Sequence, residues 1–335
     1  MFVKQLDLKE FRGIKTCDRP LQFADFTVLI GRNNSGKSSI LEALSLLPLP
    51  SDFIVNYTND TRFNLLSKLH GGISSMVYAY SGVSSVNCFV NDRAWALRLN
   101  EYGRVNLSIE GIEQTIIDSK PVEAAAIALG ITRATPDLPE KVNRSVFFIP
   151  DDTVFMNDLF NRLGDPKNRN LVTKLGAHAT VATELINKCV DDKYTELLFA
   201  PELSARKELP NGKPLYIKMK DLGDGVKKAA LIALWFEALS PSLVLWDDFE
   251  GSAHPTLIRV LLEWLSKKKC QTILSTHSID VLTSLVDVKP KNAKVIQLKK
   301  TPEDVLLQKD LNLNDLEGLL TANQDPRKLV DLLGL

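Results

Sequence analysis

Cysteine is scarce in this chain and scattered. Cys17, Cys88, Cys189 and Cys270 are its four, far apart and without a C-x-x-C pair. Such thiols are expected to be reduced in a cytoplasmic protein. Four histidines and no H-E-x-x-H speak against a zinc site. Charge of one sign is also missing, because 41 basic residues balance 41 acidic ones. Overall charge therefore advertises no nucleic-acid partner, while a local basic face stays open. No apolar run suits a membrane span. The longest, Ala229 to Trp246, is broken by Glu237 and by Ser240-Pro-Ser242, and divides into a helix and a strand. Lys4, Asp7, Lys9, Glu10 and Arg12 interrupt any secretory apolar region, so a cytoplasmic location without membrane attachment is expected. There is no internal repeat, low-complexity tract or heptad run, and no N-K-x-D of the kind that reads a guanine base.

What remains is an ordinary globular composition, 44% apolar and 24% charged, over 335 residues. Within it, Gly31-Arg-Asn-Asn-Ser-Gly-Lys-Ser38 fits G-x-x-x-x-G-K-[ST], the phosphate-binding loop. The apolar run Phe26 to Ile30 precedes it as a buried strand. Ile40, Leu41, Leu44 and Leu47 follow at helical spacing. Gly31 and Gly36 allow the tight turn that brings backbone N–H groups to phosphate oxygens. The helix N-terminus adds its dipole. Lys37, expected on a solvent-facing loop, supplies a cation, and the Ser38 hydroxyl is suited to Mg²⁺.

Val3 to Leu8 alternates like a strand and leads into Phe11-Arg-Gly-Ile14. Val86–Val90, Ala94–Leu99, Val105–Ile109 and Gln114–Ile117, separated by turn residues, predict a β-meander within about 78–118. Arg144 to Ile149 reads as a strand closed by Pro150-Asp-Asp152. The pattern from Val154 to Phe199 is helical, Leu215 to Met219 is a short strand, and Val226 to Leu239 is an amphipathic helix. Strands at Leu243 to Trp246, Gln271 to Leu274 and Ala293 to Leu298 alternate with helices starting at Pro255 and Asp280. Two short helices are predicted to finish the chain. Strands alternating with helices around a phosphate loop predict an α/β fold with a sheet core.

Three later motifs narrow the reading. Leu243-Val-Leu-Trp-Asp247-Asp248-Phe-Glu250 is a buried strand ending in acids, the Walker B pattern that offers a carboxylate to Mg²⁺. Ser275-Thr-His277 follows the next strand, where a histidine can reach a terminal phosphate. Leu222-Gly-Asp-Gly225 opens the 226–239 helix and makes a second anion-binding N-terminus.

In this order the motifs resemble the ABC-type ATPase head, with the closest likeness to the RecF, SMC and OLD-like group of chromosome-maintenance and defence ATPases. Phe11-Arg-Gly-Ile14 is similar to that group's N-terminal F-[RK]-[GS]. Asp247 to Pro255 resembles its D-E-P-E-x-x-L-H-P, and Leu222 to Gly225 its signature loop. The resemblance implies a P-loop ABC-ATPase head: a mixed central sheet with a β-meander subdomain and a helical lobe. The core would be 1–150 with 241–335, and the lobe about 151–240. ATP and Mg²⁺ are the implied cofactors. Gly31, Asn33, Asn34, Ser35, Gly36, Lys37, Ser38 and Ser39 would bind phosphates. Ser38 and Asp247 would hold the metal, Arg12 would meet phosphate or adenine-side groups, and His277 the γ-phosphate. Two heads would join head to tail around ATP, with Gly223 and Gly225 of one chain meeting the γ-phosphate on the other. DNA, or a nuclease or other protein, would be the further partner, in DNA repair, chromosome maintenance or defence.

Three departures from the group's pattern stand out. The catalytic Glu position holds Asp248, one methylene shorter, which leaves Glu250 as the alternative base. Gly223 replaces the usual signature serine. Pro150-Asp151-Asp152 occupies the Q-loop place without a glutamine. The residues between Ser38 and Leu222 leave no room for a coiled-coil arm, and those after His277 are too few for a Toprim domain, so a bare head is expected. A low-turnover ATP-binding regulatory subunit of a nuclease or toxin-type complex is the alternative. A small-molecule kinase would need neither 223–225 nor 275–277.

Overall fold

The computed structural model describes residues 2–50, 57, 58, 60–110, 112–114, 120–131, 137–199 and 202–330. Of the expected strand at Gln114–Ile117, residues 115–117 lie outside that set. The first strands are β1 (Val3–Phe11), β2 (Ile14–Cys17), β3 (Leu21–Gln22) and β4 (Phe26–Gly31). The meander comprises β5 (Val83–Val90), β6 (Arg93–Asn100), β7 (Val105–Ile109) and β8 (Ile112–Gln114). There follow β9 (Val146–Ile149), β10 (Tyr194–Leu198), β11 (Ser204–Glu208) and β12 (Pro214–Lys218). The last are β13 (Leu243–Trp246), β14 (Gln271–Ser275), β15 (Ala293–Lys300) and β16 (Val305–Asn312).

Among the described residues, one thirteen-stranded sheet runs β8-β7-β6-β5-β1-β2-β16-β15-β4-β14-β13-β9, with β3 on β1. One end of it is parallel: β15, β4, β14, β13 and the edge strand β9 are paired side by side in one direction. These strands lie between helices, so their short apolar runs are buried on both faces. The helices Lys37–Ser45, Pro255–Ser266 and Ile279–Val288 turn buried leucine and isoleucine faces to this core. The strands β5 to β8 continue the same sheet, because β5 pairs antiparallel with β1.

Gln271 ties β14 to the start of β1 and to the turn before β4. It is buried; its Oε1 accepts the Val3 N–H at 2.7 Å, and its Nε2 donates to the carbonyls of Val3 and Ala24 at 2.8 and 3.0 Å. Gln271→Leu strands those groups without water. It is expected to cost about 1–3 kcal/mol of unfolding free energy, read from a denaturant melt.

Two expectations need correction. The helical pattern predicted from Val154 to Phe199 stops at Lys188, and Tyr194–Leu198 is instead a strand in a separate antiparallel sheet, β10-β11-β12. Its Glu196, Leu197 and Leu198 are helix formers, and pairing with β11 overrides them. The chain also does not end in helices alone after Leu298. Val305–Asn312 is a strand, held antiparallel against β15 and parallel against β2.

Candidate functional site

Parallel strands end together, and here four ends meet. β4 delivers the phosphate loop, β14 delivers Thr276 and His277, β13 delivers Asp247, and β9 delivers Pro150 to Asp152. Open α/β sheets bind ligands outside the carboxyl ends of their strands. A cavity of about 540 Å³ lies there, lined by Asn33 to Ser39, Asp247, His277 and Arg12. Of the sequence-predicted residues, Gly31, Asp248, Glu250, Gly223 and Gly225 do not line it.

The loop is built as its sequence requires. Gly36 caps the helix Lys37–Ser45 at φ 98°, a left-handed conformation that L side chains resist. Gly31 has no room for a side chain, since a Cβ would lie 2.5 Å from both the Leu298 carbonyl and Ser35 Oγ. Ser35 Oγ is buried and has no hydrogen-bond partner among the described residues. Lys37 is not solvent-facing as expected: it is only 5% exposed. Its Nζ folds back over the loop and donates to the carbonyls of Gly31 and Arg32 at 3.0 and 3.1 Å. Burial lowers the Lys37 pKa, while Asp247, Asp248 and Glu250 oppose that shift. An ammonium so placed is short of counter-charge and suited to a phosphate.

The acidic end is tied to β14. Ser275 Oγ donates to Asp247 Oδ1 and accepts the Asp248 N–H at 2.9 Å. Asp248 sits at φ 48° and is half-buried. Burial raises its carboxyl pKa, and the charges of Glu250 and Asp151 add to the rise. Glu250 is committed elsewhere. Its Oε2 accepts from Thr276 Oγ1 at 2.7 Å and its Oε1 from the His277 N–H at 2.6 Å. Both oxygens thereby brace the turn that presents His277. Asp247 and Ser38 bring hard oxygen donors to one cavity, a fit for Mg²⁺.

The glycines at 223 and 225 behave differently. Gly223 is exposed, at φ −60°, and nothing lies within 4 Å of where its Cβ would be. A Cβ on Gly225 would meet the Ser252 carbonyl at 2.4 Å. Gly225 is therefore needed for close approach of the helix Asp224–Leu239 to the loop after Asp248. That same helix reaches the Q-loop place through Lys228, whose Nζ lies 3.3 Å from Asp151 Oδ1.

Sequence reading passed over the cavity residues Glu42, Leu69, His70 and Lys300. Glu42 alone carried a signal, an acid among the buried apolar positions of its helix.

Two protein-family models match in tandem. Residues 1–93 match "AAA ATPase domain", and residues 124–284 match "AAA domain, putative AbiEii toxin, Type IV TA system". The DNA replication and repair protein RecF of Vibrio cholerae is 43% identical over 75 residues, which is 22% of this chain and 20% of that protein. RecF of Vibrio campbellii is 51% identical over 47 residues, 14% of this chain and 13% of that protein. The chain thus matches about a fifth or less of these relatives' length. The SMC head domain bound to the C-terminal domain of ScpA derived from Pyrococcus furiosus superposes with a TM-score of 0.62 at 13% identity. That superposition covers 96% of this chain and 99% of the SMC chain. The SMC head domain from Thermotoga maritima gives 0.53 at 16% identity, covering 93% and 100%. Among the described residues no helix is long and apolar enough to cross a membrane.

Proposed function

We propose that this chain is an ABC-type P-loop ATPase head of the RecF and SMC group, which binds ATP with Mg²⁺, hydrolyses it, and uses the nucleotide to join two heads; the two AAA family matches, the local RecF identity and the SMC-head fold support this. The meeting of the four strand ends around one polar cavity carries this reading. Lys37 and the amides of 33–38 hold the phosphates. Ser38 and Asp247 hold Mg²⁺, which when bound neutralises charge that develops on the phosphoryl oxygens. Asp248 takes the proton of the attacking water, Glu250 braces the turn, and His277 meets the γ-phosphate. The loop at Gly223 reads the γ-phosphate of a second head. DNA is the partner class suggested by the likeness to the DNA replication and repair protein RecF, with a partner protein as the other. The short reach of Asp248 favours a second reading, a low-turnover ATP-binding regulatory subunit of a nuclease or toxin-type complex.

Lys37→Ala removes the buried ammonium from the phosphates. ATP affinity is expected to fall at least about tenfold, ~1.4 kcal/mol, by equilibrium titration. Because Lys37 also bonds the Gly31 and Arg32 carbonyls, the unfolding midpoint is measured alongside. Unchanged affinity in a folded variant removes the P-loop assignment.

A further inference from the structure

Arg12, Glu42 and His70 close a ring of side chains, of which only Arg12 belongs to a motif above. Glu42 projects from the helix that follows the phosphate loop, and His70 caps the end of the helix Arg62–Leu69. Arg12 Nη1 pairs with Glu42 Oε2. Arg12 Nη2 donates to His70 Nδ1 at 3.0 Å, and His70 Nε2 donates to Glu42 Oε1 at 2.9 Å. The ring fixes the tautomer. Nδ1 must accept from a guanidinium, which has only donors, so Nε2 carries the hydrogen. Burial and the neighbouring Arg12 charge lower the His70 pKa to about 4, which keeps the imidazole neutral as the ring requires.

The position of the ring suggests its use. All three side chains line the phosphate cavity. A second cavity of about 450 Å³ adjoins it, sharing Arg12, Gly13 and His70 and walled by Tyr78 and Tyr80. The ring therefore stands where the two cavities meet. Glu42 is the most buried member, its side chain 5% exposed against 19% for Arg12 and 23% for His70. A buried carboxylate beside a phosphate site repels the ligand unless its charge is already matched, and Arg12 matches it. The ring uses two of the five guanidinium N–H groups, leaving three for an acceptor. The backbone is pinned as well. Arg12 sits at φ 53°, and its N–H donates to the Met76 carbonyl at 3.2 Å.

We propose that Glu42 and His70 are positioning residues that hold the Arg12 guanidinium at the junction of the two cavities, where it binds the phosphate chain of the nucleotide. This rests on the nucleotide reading of the site. Glu42 and His70 touch no ligand themselves and act through Arg12.

A mutant cycle tests it, with ATP and Mg²⁺ as the probe and equilibrium affinity as the readout. Arg12→Ala, Glu42→Gln and His70→Ala are each expected to weaken ATP about five- to tenfold. In an Arg12→Ala background, the second substitution should change affinity by less than about twofold. The nucleotide-free unfolding midpoint is recorded for each variant. Should Glu42→Gln fail to fold, His70→Ala, at a partly exposed helix end, carries the cycle. Two results overturn the inference while nucleotide binding stands: single variants that bind ATP like the wild type, or equal losses with and without Arg12. Absence of ATP binding by the wild-type chain removes both the inference and the reading beneath it.

Discussion

Asp248→Asn is expected to lower ATP turnover by about 10²–10⁴-fold while ATP still binds. Asparagine keeps the size of the side chain and the backbone link to Ser275, whose Oγ accepts the residue-248 N–H at 2.9 Å. What it loses is a carboxylate able to take a proton. Glu250→Gln is expected to act otherwise. Glu250 spends its oxygens on Thr276 and on the His277 N–H. An amide can still accept from one of them, so turnover should fall less, with the loss traced to a displaced His277. Phosphate-release assays on both variants decide the roles. If Glu250→Gln abolishes turnover and Asp248→Asn does not, the roles are reversed. If neither substitution matters, the low-turnover regulatory reading takes over.

In the Asp248→Asn background, which retains ATP, Gly223→Glu is expected to abolish an ATP-dependent shift from monomer to dimer. Gly223 is exposed, its φ of −60° suits any residue, and nothing lies within 4 Å of a Cβ there. A carboxylate at the start of the Asp224–Leu239 helix does not harm that helix. Against the γ-phosphate of a partner head it adds bulk and like charge. Gly225 cannot serve as the probe, since a side chain there collides with the Ser252 carbonyl. Light scattering with and without ATP and Mg²⁺ reads the result. A dimer that forms equally without nucleotide, or that survives Gly223→Glu, contradicts the head-to-tail arrangement.

The parallel part of the sheet was legible because its strands are continuous apolar runs bounded by motif residues. Phe26 to Gly31 and Leu243 to Trp246 are buried along their whole length. The Walker residues were legible for the same reason, as each motif sits at the end of such a run. β16 was not. Its residues alternate poorly, and its place comes from hydrogen bonds to β15 and β2, partners separated from it by turns or by most of the chain. Of the β10-β11-β12 sheet, β12 was expected as a strand, while β10 was hidden by helix-favouring residues that tertiary pairing overrides. In the site, local spacing could not foretell that Lys37 folds back onto its own loop. Nor could it bring His70 to Glu42 and Arg12, because that contact joins three separate segments.

The most direct test of the account is a calorimetric titration of the wild-type chain with ATP, in Mg²⁺ and again with the metal chelated. The account predicts saturable binding of one ATP per chain, weakened when Mg²⁺ is removed from reach of Ser38 and Asp247. No saturable binding in either condition contradicts it.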